Sequence, residues 1–302
     1  MDTINVLFFG STDDSVIVLE KIAGIKNITI AAVVTQPTRP VGCDQTLTPT
    51  PVEEWAKAHH IAFLSFAASA EKSWQYQNPQ QVVDALQPIQ ADLIISASYG
   101  QMIPAETIAS AKYGGLNIHP SILPRWRGGD PVPWAIMTGD HQIGVTVVAL
   151  SPTFDAGEIY AQEKIPIEPT DTSDPLRTKL FTIGADLLAA LLPQYLRGKA
   201  KPLPTHKETE KPPYAKRFTR DNGFEAWEIV QSAITQGTDA ERIERKFRAL
   251  HPWPGLWSTV NGKRLKLLSL HIADGKLVPD EVQLEGKKPV PWMQFKTAHL
   301  AP

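Results

Sequence analysis

The sequence predicts an α/β protein with a mainly parallel sheet over its first two-thirds and a small β-barrel after it. Two observations predict this. Apolar runs of strand length alternate with helical patterns up to about residue 196, the alternation that builds a parallel sheet covered by helices. Beyond it, short strand-like pieces are separated by Asn261-Gly262 and Asp274-Gly275, dipeptides suited to tight hairpin turns.

In order, Ile4–Phe9 is a continuous apolar run, as expected of a strand buried on both faces. Helical spacing follows over Ser15–Ile25, and a second strand over Ile28–Thr35. Pro51–His60 opens on a proline suited to a first helical turn, and Ile61–Phe66 follows as a strand. Helix Pro79–Leu86, strand Ala91–Ala97 and strand Gly115–His119 come next. Helix Pro131–Met137, strands Gly144–Leu150 and Ile159–Ile167, and helix Asp174–Leu196 complete this part. Lys199–Arg220 is rich in proline and charge and reads as a linker or strap. Helix Asp239–Leu250 then precedes strand pieces at Leu256–Val260, Arg264–Ile272 and Val282–Leu284. The predicted division is 1–198, a linker 199–220, and 221–302.

With 302 residues, 42% hydrophobic and 21% charged, the composition is that of an ordinary globular chain. No apolar run approaches the about 20 residues that cross a bilayer, and Met1–Gly10 lacks the basic flank of an export signal. The lone Cys43 provides neither an intramolecular disulfide nor a cysteine cluster for zinc. A cytoplasmic setting, no membrane association and no metal are therefore expected. The net charge is −7 over residues 1–200 and +5 over residues 201–302. A basic C-terminal third suits a phosphate-bearing partner, or simply a solvated surface.

The densest cluster of chemically useful residues is NIHPSILPRWRGG, residues 117–129. On a strand, the period of two puts Asn117 and His119 on one face. An amide beside an imidazole can stabilise a developing oxyanion. Pro120 and Pro124 stiffen the following loop, and Gly128-Gly129 permits close approach of backbone to a ligand. Asp155, in Phe154-Asp155-Ala156-Gly157, follows an apolar strand. From the residues alone it is either a hydrogen-bond partner or proton relay for His119, or part of an ordinary turn.

The run NIHPSILPRWRGGDPVPWAI, followed by TGD, GVTVV and FDAG, resembles the folate-dependent formyltransferases. VLFFGS, VVTQPTRP and YGQMIP are similar to that family's N-terminal landmarks. RALHPWPGLWSTVNGKRLKL and EVQLEGKKP resemble the C-terminal barrel of its methionyl-tRNA branch. The resemblance implies a Rossmann-like formyltransferase domain and an OB-like barrel that binds tRNA. It implies transfer of the formyl group of 10-formyltetrahydrofolate to the α-amine of initiator methionyl-tRNA, by direct attack through a tetrahedral intermediate. By resemblance Asn117, His119 and Asp155 are catalytic, and Ser121, Ile122, Leu123 and Pro124 bind the folate, mostly through backbone. Arg39, Arg125, Arg127, Lys216, Lys263 and Arg264 are the candidates for tRNA contact. A monomer is expected.

The chain departs from the family at Val41-Gly42-Cys43-Asp44-Gln45, where a glycine-rich basic loop is usual. Fewer cations mean less attraction for phosphate, so another amine, such as that of an amino-sugar nucleotide, stays open as acceptor. Two other classes fit the residues less well. Gly10-Ser11-Thr12-Asp13-Asp14 lacks the glycine pattern of a dinucleotide site and puts acids where a pyrophosphate would sit. A folate- or tRNA-binding protein without activity would not need Asn117, His119 and Asp155 together.

Overall fold

The computed structural model describes residues 3–41, 44–204 and 212–300. Gly42, Cys43 and the linker positions 205–211 lie outside the described residues. Contacts divide the chain into two compact units. One comprises residues 1–129, 143–165 and 177–214; the other comprises 130–142, 166–176 and 215–302.

The first unit is organised by a seven-stranded sheet. Its strands are β1 (Ile4–Phe9), β2 (Ile28–Thr35), β3 (Phe63–Ser65), β4 (Leu93–Ala97), β5 (Gly115–His119), β6 (Gln142–Ala149) and β7 (Ile159–Pro166). Their spatial order is β7-β6-β5-β4-β1-β2-β3. The chain lays down β1 to β3 in one direction and then returns to β4 on the other side of β1. Pairs β1–β2, β1–β4, β2–β3 and β4–β5 are parallel. Their side chains are those of a doubly covered sheet: Val6, Phe8, Val33 and Ile95 are fully buried. The turn from parallel to antiparallel comes at β5–β6, where Leu116 faces Ala149 and His119 faces Thr146.

Local signals explain the helix starts. Thr12 caps α1 (Asp13–Ala23) in a capping box with Ser15. The Ser15 hydroxyl also donates to the Ala97 carbonyl at 2.7 Å, tying α1 to the end of β4. Val18, Leu19 and Ile22, spaced for one face, are buried, each contributing about 1.5–3 kcal/mol. Thr50 caps α2 (Pro51–Ala58) and Asn78 caps α3 (Pro79–Leu86), each with proline in the first turn. A short α4 (Ala105–Ser110) precedes β5. The long α6 (Ser173–Tyr195) lies behind β5, and Gly184 makes this possible: a Cβ there would meet Ile118 at 2.6 Å and Val145 at 2.7 Å.

In the second unit, α5 (Pro131–Thr138) is followed by α7 (Trp227–Thr235), α8 (Ala240–Leu250) and α9 (Trp292–His299). They accompany a four-stranded antiparallel sheet of β8 (Leu256–Val260), β9 (Lys263–Ala273), β10 (Lys276–Leu284) and β11 (Val290–Pro291) in sequential order. This is the small β domain, built as a sheet with helices against it. Both hairpin dipeptides have positive φ at each residue, 49° and 76° at Asn261 and Gly262, 49° and 72° at Asp274 and Gly275. That geometry matches the right-handed strand twist. Ile243, Leu256, Leu265, Leu277, Val282 and Phe295 form its core. No helix among the described residues is long and apolar enough to cross a membrane.

Candidate active site

Asn117 and His119 point to one face of β5, while Ile118 packs on the α6 side. Asp155 reaches the same place by a longer route. Because β6 runs antiparallel to β5, its last residue, Ala149, lies beside Leu116 at the start of β5. The loop after it turns back towards Asn117 and His119, with Asp155 itself in the left-handed region at φ 53°.

There the Asp155 carboxylate gathers polar groups. Oδ1 accepts a hydrogen bond from Asn117 Nδ2 at 3.2 Å, and Oδ2 accepts one from the Gly128 N–H at 3.1 Å. Nδ1 of His119 lies 3.5 Å from Oδ1, and both side chains are more than nine-tenths buried. The other imidazole nitrogen, Nε2, is 2.9 Å from the carbonyl oxygen of Trp126. A carbonyl only accepts, so Nε2 carries hydrogen, which leaves Nδ1 as the nitrogen facing the carboxylate.

Sequence reasoning missed Trp126, and it assigned Gly128 to close approach of a ligand where the structure has it donating to Asp155. Both lie inside the 117–129 run, but they act through backbone atoms, which no residue-type pattern reveals. Thr146 on β6 was missed too. Its hydroxyl donates to the Ser121 carbonyl at 2.7 Å and accepts from the Leu123 N–H at 3.2 Å and from Gln162 Nε2 at 2.9 Å.

The segment Ser121–Pro124 is therefore braced internally. The Ser121 N–H donates to the His119 carbonyl, the Ile122 carbonyl accepts from the Arg125 N–H, and the Leu123 carbonyl accepts from Gln162. The Leu123–Pro124 peptide is cis.

The arginines and lysines singled out in the sequence are dispersed. Arg39 is exposed on a hairpin of strands 39–41 and 46–48. The Arg125 guanidinium lies 4.5 Å from the Trp126 ring centroid. Arg127 is half-buried, and its Nε has no hydrogen-bond partner among the described residues. In the second unit Lys216 and Lys263 are exposed, and the Arg264 guanidinium sits 4.1 Å over the Trp257 ring.

The chain matches known proteins along most of its length. The formyl transferase family model matches residues 4–192, and the model of the formyl transferase C-terminal domain matches residues 232–277. A methionyl-tRNA formyltransferase of Chloroflexus aurantiacus is 36% identical over 279 residues, covering 92% of this chain and 84% of that one. One from Geobacillus sp. is 38% identical over 264 residues, covering 87% and 77%. HypX from Aquifex aeolicus, solved in complex with tetrahydrofolic acid, shares the fold at a TM-score of 0.58 and 18% identity. That match covers 99% of this chain and 48% of HypX, so the chain spans about half the length of HypX. With a family model over more than half its residues and relatives above one-third identity, the chain belongs to the formyl transferase family.

Proposed function

We propose that this protein transfers the formyl group of 10-formyltetrahydrofolate to the α-amine of initiator methionyl-tRNA, acting as a monomer in the cytoplasm. Residues 1–198 form the catalytic domain, 199–220 the linker and 221–302 the tRNA-binding domain. The observation that carries the reading is the convergence of Asn117 and His119 on one oxygen of Asp155. The names of the Chloroflexus and Geobacillus relatives supply the acceptor, and the tetrahydrofolic acid in HypX supports a folate donor.

The α-amine, which titrates near pH 7.7 in its free form, attacks the formyl carbon as the neutral base. A new C–N bond forms, and the carbonyl oxygen becomes an oxyanion. Asn117 and His119 stabilise that charge. With Nε2 committed to the Trp126 carbonyl, a hydrogen bond from His119 to the oxyanion comes from Nδ1 of the imidazolium form, and its 3.5 Å contact to Asp155, longer than an ordinary hydrogen bond, leaves that proton free to be shared. Asp155 orients both side chains and accepts the proton that the attacking nitrogen sheds. That proton passes to the folate nitrogen as its bond to the formyl carbon breaks, releasing tetrahydrofolate and the formylated amine. Ser121, Ile122, Leu123 and Pro124 hold the donor against this centre.

Arg39, Arg125, Arg127, Lys216, Lys263 and Arg264 meet the tRNA phosphates. The 41–45 segment, with Cys43 and Gln45 where the family is basic and Asp44 where it has glycine, keeps a second acceptor class open, an amino-sugar nucleotide. Purified protein is offered 10-formyltetrahydrofolate with methionyl-initiator-tRNA in one reaction and amino-sugar nucleotides in another. Formylated tRNA is expected. Formylation of the sugar alone overturns the acceptor.

A further inference from the structure

The loop that carries Asp155 is fastened differently at its base and its tip. At the base, the Ala149 N–H donates to the Glu158 carbonyl at 2.8 Å. Gly157 is packed so tightly there that a Cβ would lie 2.0 Å from the Ala149 carbonyl oxygen. Towards the tip, Pro152, Thr153 and Ala156 are exposed. Phe154, next to Asp155, is half-buried and meets Trp74 edge to face, with ring centroids 6.0 Å apart and planes at 76°.

Trp74 belongs to a lip formed by residues 67–77, after β3. The lip closes on itself through an antiparallel bridge between Ala68 and Tyr76 and a 2.9 Å bond from the Gln77 N–H to the Ala67 carbonyl. It is anchored to the loop after β4 without using the indole. The Met102 N–H donates to the Trp74 carbonyl at 2.8 Å, and the Tyr76 and Tyr99 hydroxyls are 2.8 Å apart. Trp74 itself is 39% exposed, so its ring contributes little to a core. The ring meets Phe154 and, 5.8 Å from its centroid, the Lys72 ammonium.

We infer that Trp74 is a positioning residue for Asp155, acting through Phe154. Non-glycine residues resist left-handed backbone, although aspartate tolerates it better than most, so the conformation at Asp155 is retained only while the loop is held on both sides. Truncating the indole leaves the lip in place and frees the tip. Asp155 then spends less time with its carboxylate against Asn117 and His119. The inference rests on the catalytic role proposed for Asp155, and a small displacement of such a group is costly for turnover.

The test uses the full chain as wild type, Trp74→Ala and Trp74→Phe. For Trp74→Ala, kcat is expected to fall about ten-fold with the KM for 10-formyltetrahydrofolate changed less than about two-fold. Trp74→Phe, which keeps a ring against Phe154, restores kcat to within about two-fold of wild type. Amide hydrogen exchange at residues 151–157 should quicken in Trp74→Ala while the rest of the chain and the Tm hold. Unchanged exchange at 151–157 overturns the inference. So does a raised donor KM at normal kcat, which would make Trp74 a ligand contact, and so does quickened exchange throughout the chain. Exchange requires no activity. If the wild type transfers no formyl group to any amine, the proposed function falls, and the Trp74–Phe154–Asp155 linkage is still decided by the exchange result.

Discussion

The side-chain amide of Asn117 donates to Oδ1 of Asp155 across 3.2 Å, the same oxygen that His119 Nδ1 faces at 3.5 Å. One carboxylate thus sets the orientation of both groups proposed to meet the oxyanion. Asp155→Asn removes the charge and one of the two acceptor oxygens while keeping the shape. Turnover in single-turnover formyl transfer should fall about 100-fold or more, with the Tm near that of wild type. Activity within three-fold of wild type would remove Asp155 from the chemistry.

His119→Ala should abolish most turnover, by about two to three orders of magnitude if the imidazole stabilises the oxyanion. The fold should survive. His119 is 4% exposed, and its removal leaves the Trp126 carbonyl without its 2.9 Å partner, a cost of about 1–3 kcal/mol. Circular dichroism and thermal melting separate the two effects. Near-normal turnover in a folded variant would sink the catalytic assignment.

Gly157→Ala tests the base of the Asp155 loop. The new methyl group would lie 2.0 Å from the backbone oxygen of Ala149, and backbone cannot yield as a flexible side chain would. The loop must shift, carrying Asp155 with it. Turnover is expected to fall by at least about ten-fold, out of proportion to any change in Tm. Unaltered kinetics would mean that the loop absorbs the shift without moving its carboxylate.

How much of this was legible from the residues depended on whether a signal was local. The bounds Ile4–Phe9, Ile28–Thr35, Pro79–Leu86, Gly115–His119 and Leu256–Val260 match the observed elements residue for residue. Each is a short strand built on apolar residues or a helix with its own cap. Helices α7 and α9 were not predicted, and neither begins with a side-chain cap. In α7, Ile229, Val230, Ile234 and Thr235 are β-branched and favour strand locally, so burial of Val230 and Ala233 in the second unit decides the outcome. Strand β10 begins six residues before the predicted Val282 because Pro279, ordinarily a strand breaker, falls where the register with β9 slips at Ser269 and Leu270. The Asn117–His119 pair followed from a period of two. Asp155 did not follow from spacing: it reaches the pair only because β6 is antiparallel to β5 and the chain then doubles back.

The basic third of the chain can be examined through salt. Arg264 covers Trp257 and Lys263 is exposed beside it. If both meet phosphates, log Kd for the tRNA varies with log salt with a slope that includes about 0.7–0.9 per contact. The double variant Lys263→Ala, Arg264→Ala should reduce that slope by about 1.5, while kcat at saturating tRNA stays within about two-fold of wild type. An unchanged slope would mean that these cations are solvated and meet no phosphate.

Glu225 provides a stability test that is independent of the chemistry. Burial pushes its carboxyl upward, but hydrogen bonds and charge from Arg242 and Lys246 outweigh this and hold it below the ordinary carboxylate value. The bonds are 2.8 Å from Arg242 Nη2 and 2.8 Å from Lys246 Nζ. A group depressed in the folded state contributes its full stability above its unfolded value, and loses it as pH falls through the lower folded value. Glu225→Gln should therefore destabilise the protein by about 2 kcal/mol at neutral pH. The gap to wild type should narrow as both are titrated below pH about 4. Urea unfolding monitored across that range measures it. A penalty that persists undiminished into acid would show that Glu225 acts by shape and neutral hydrogen bonding, with its charge contributing nothing.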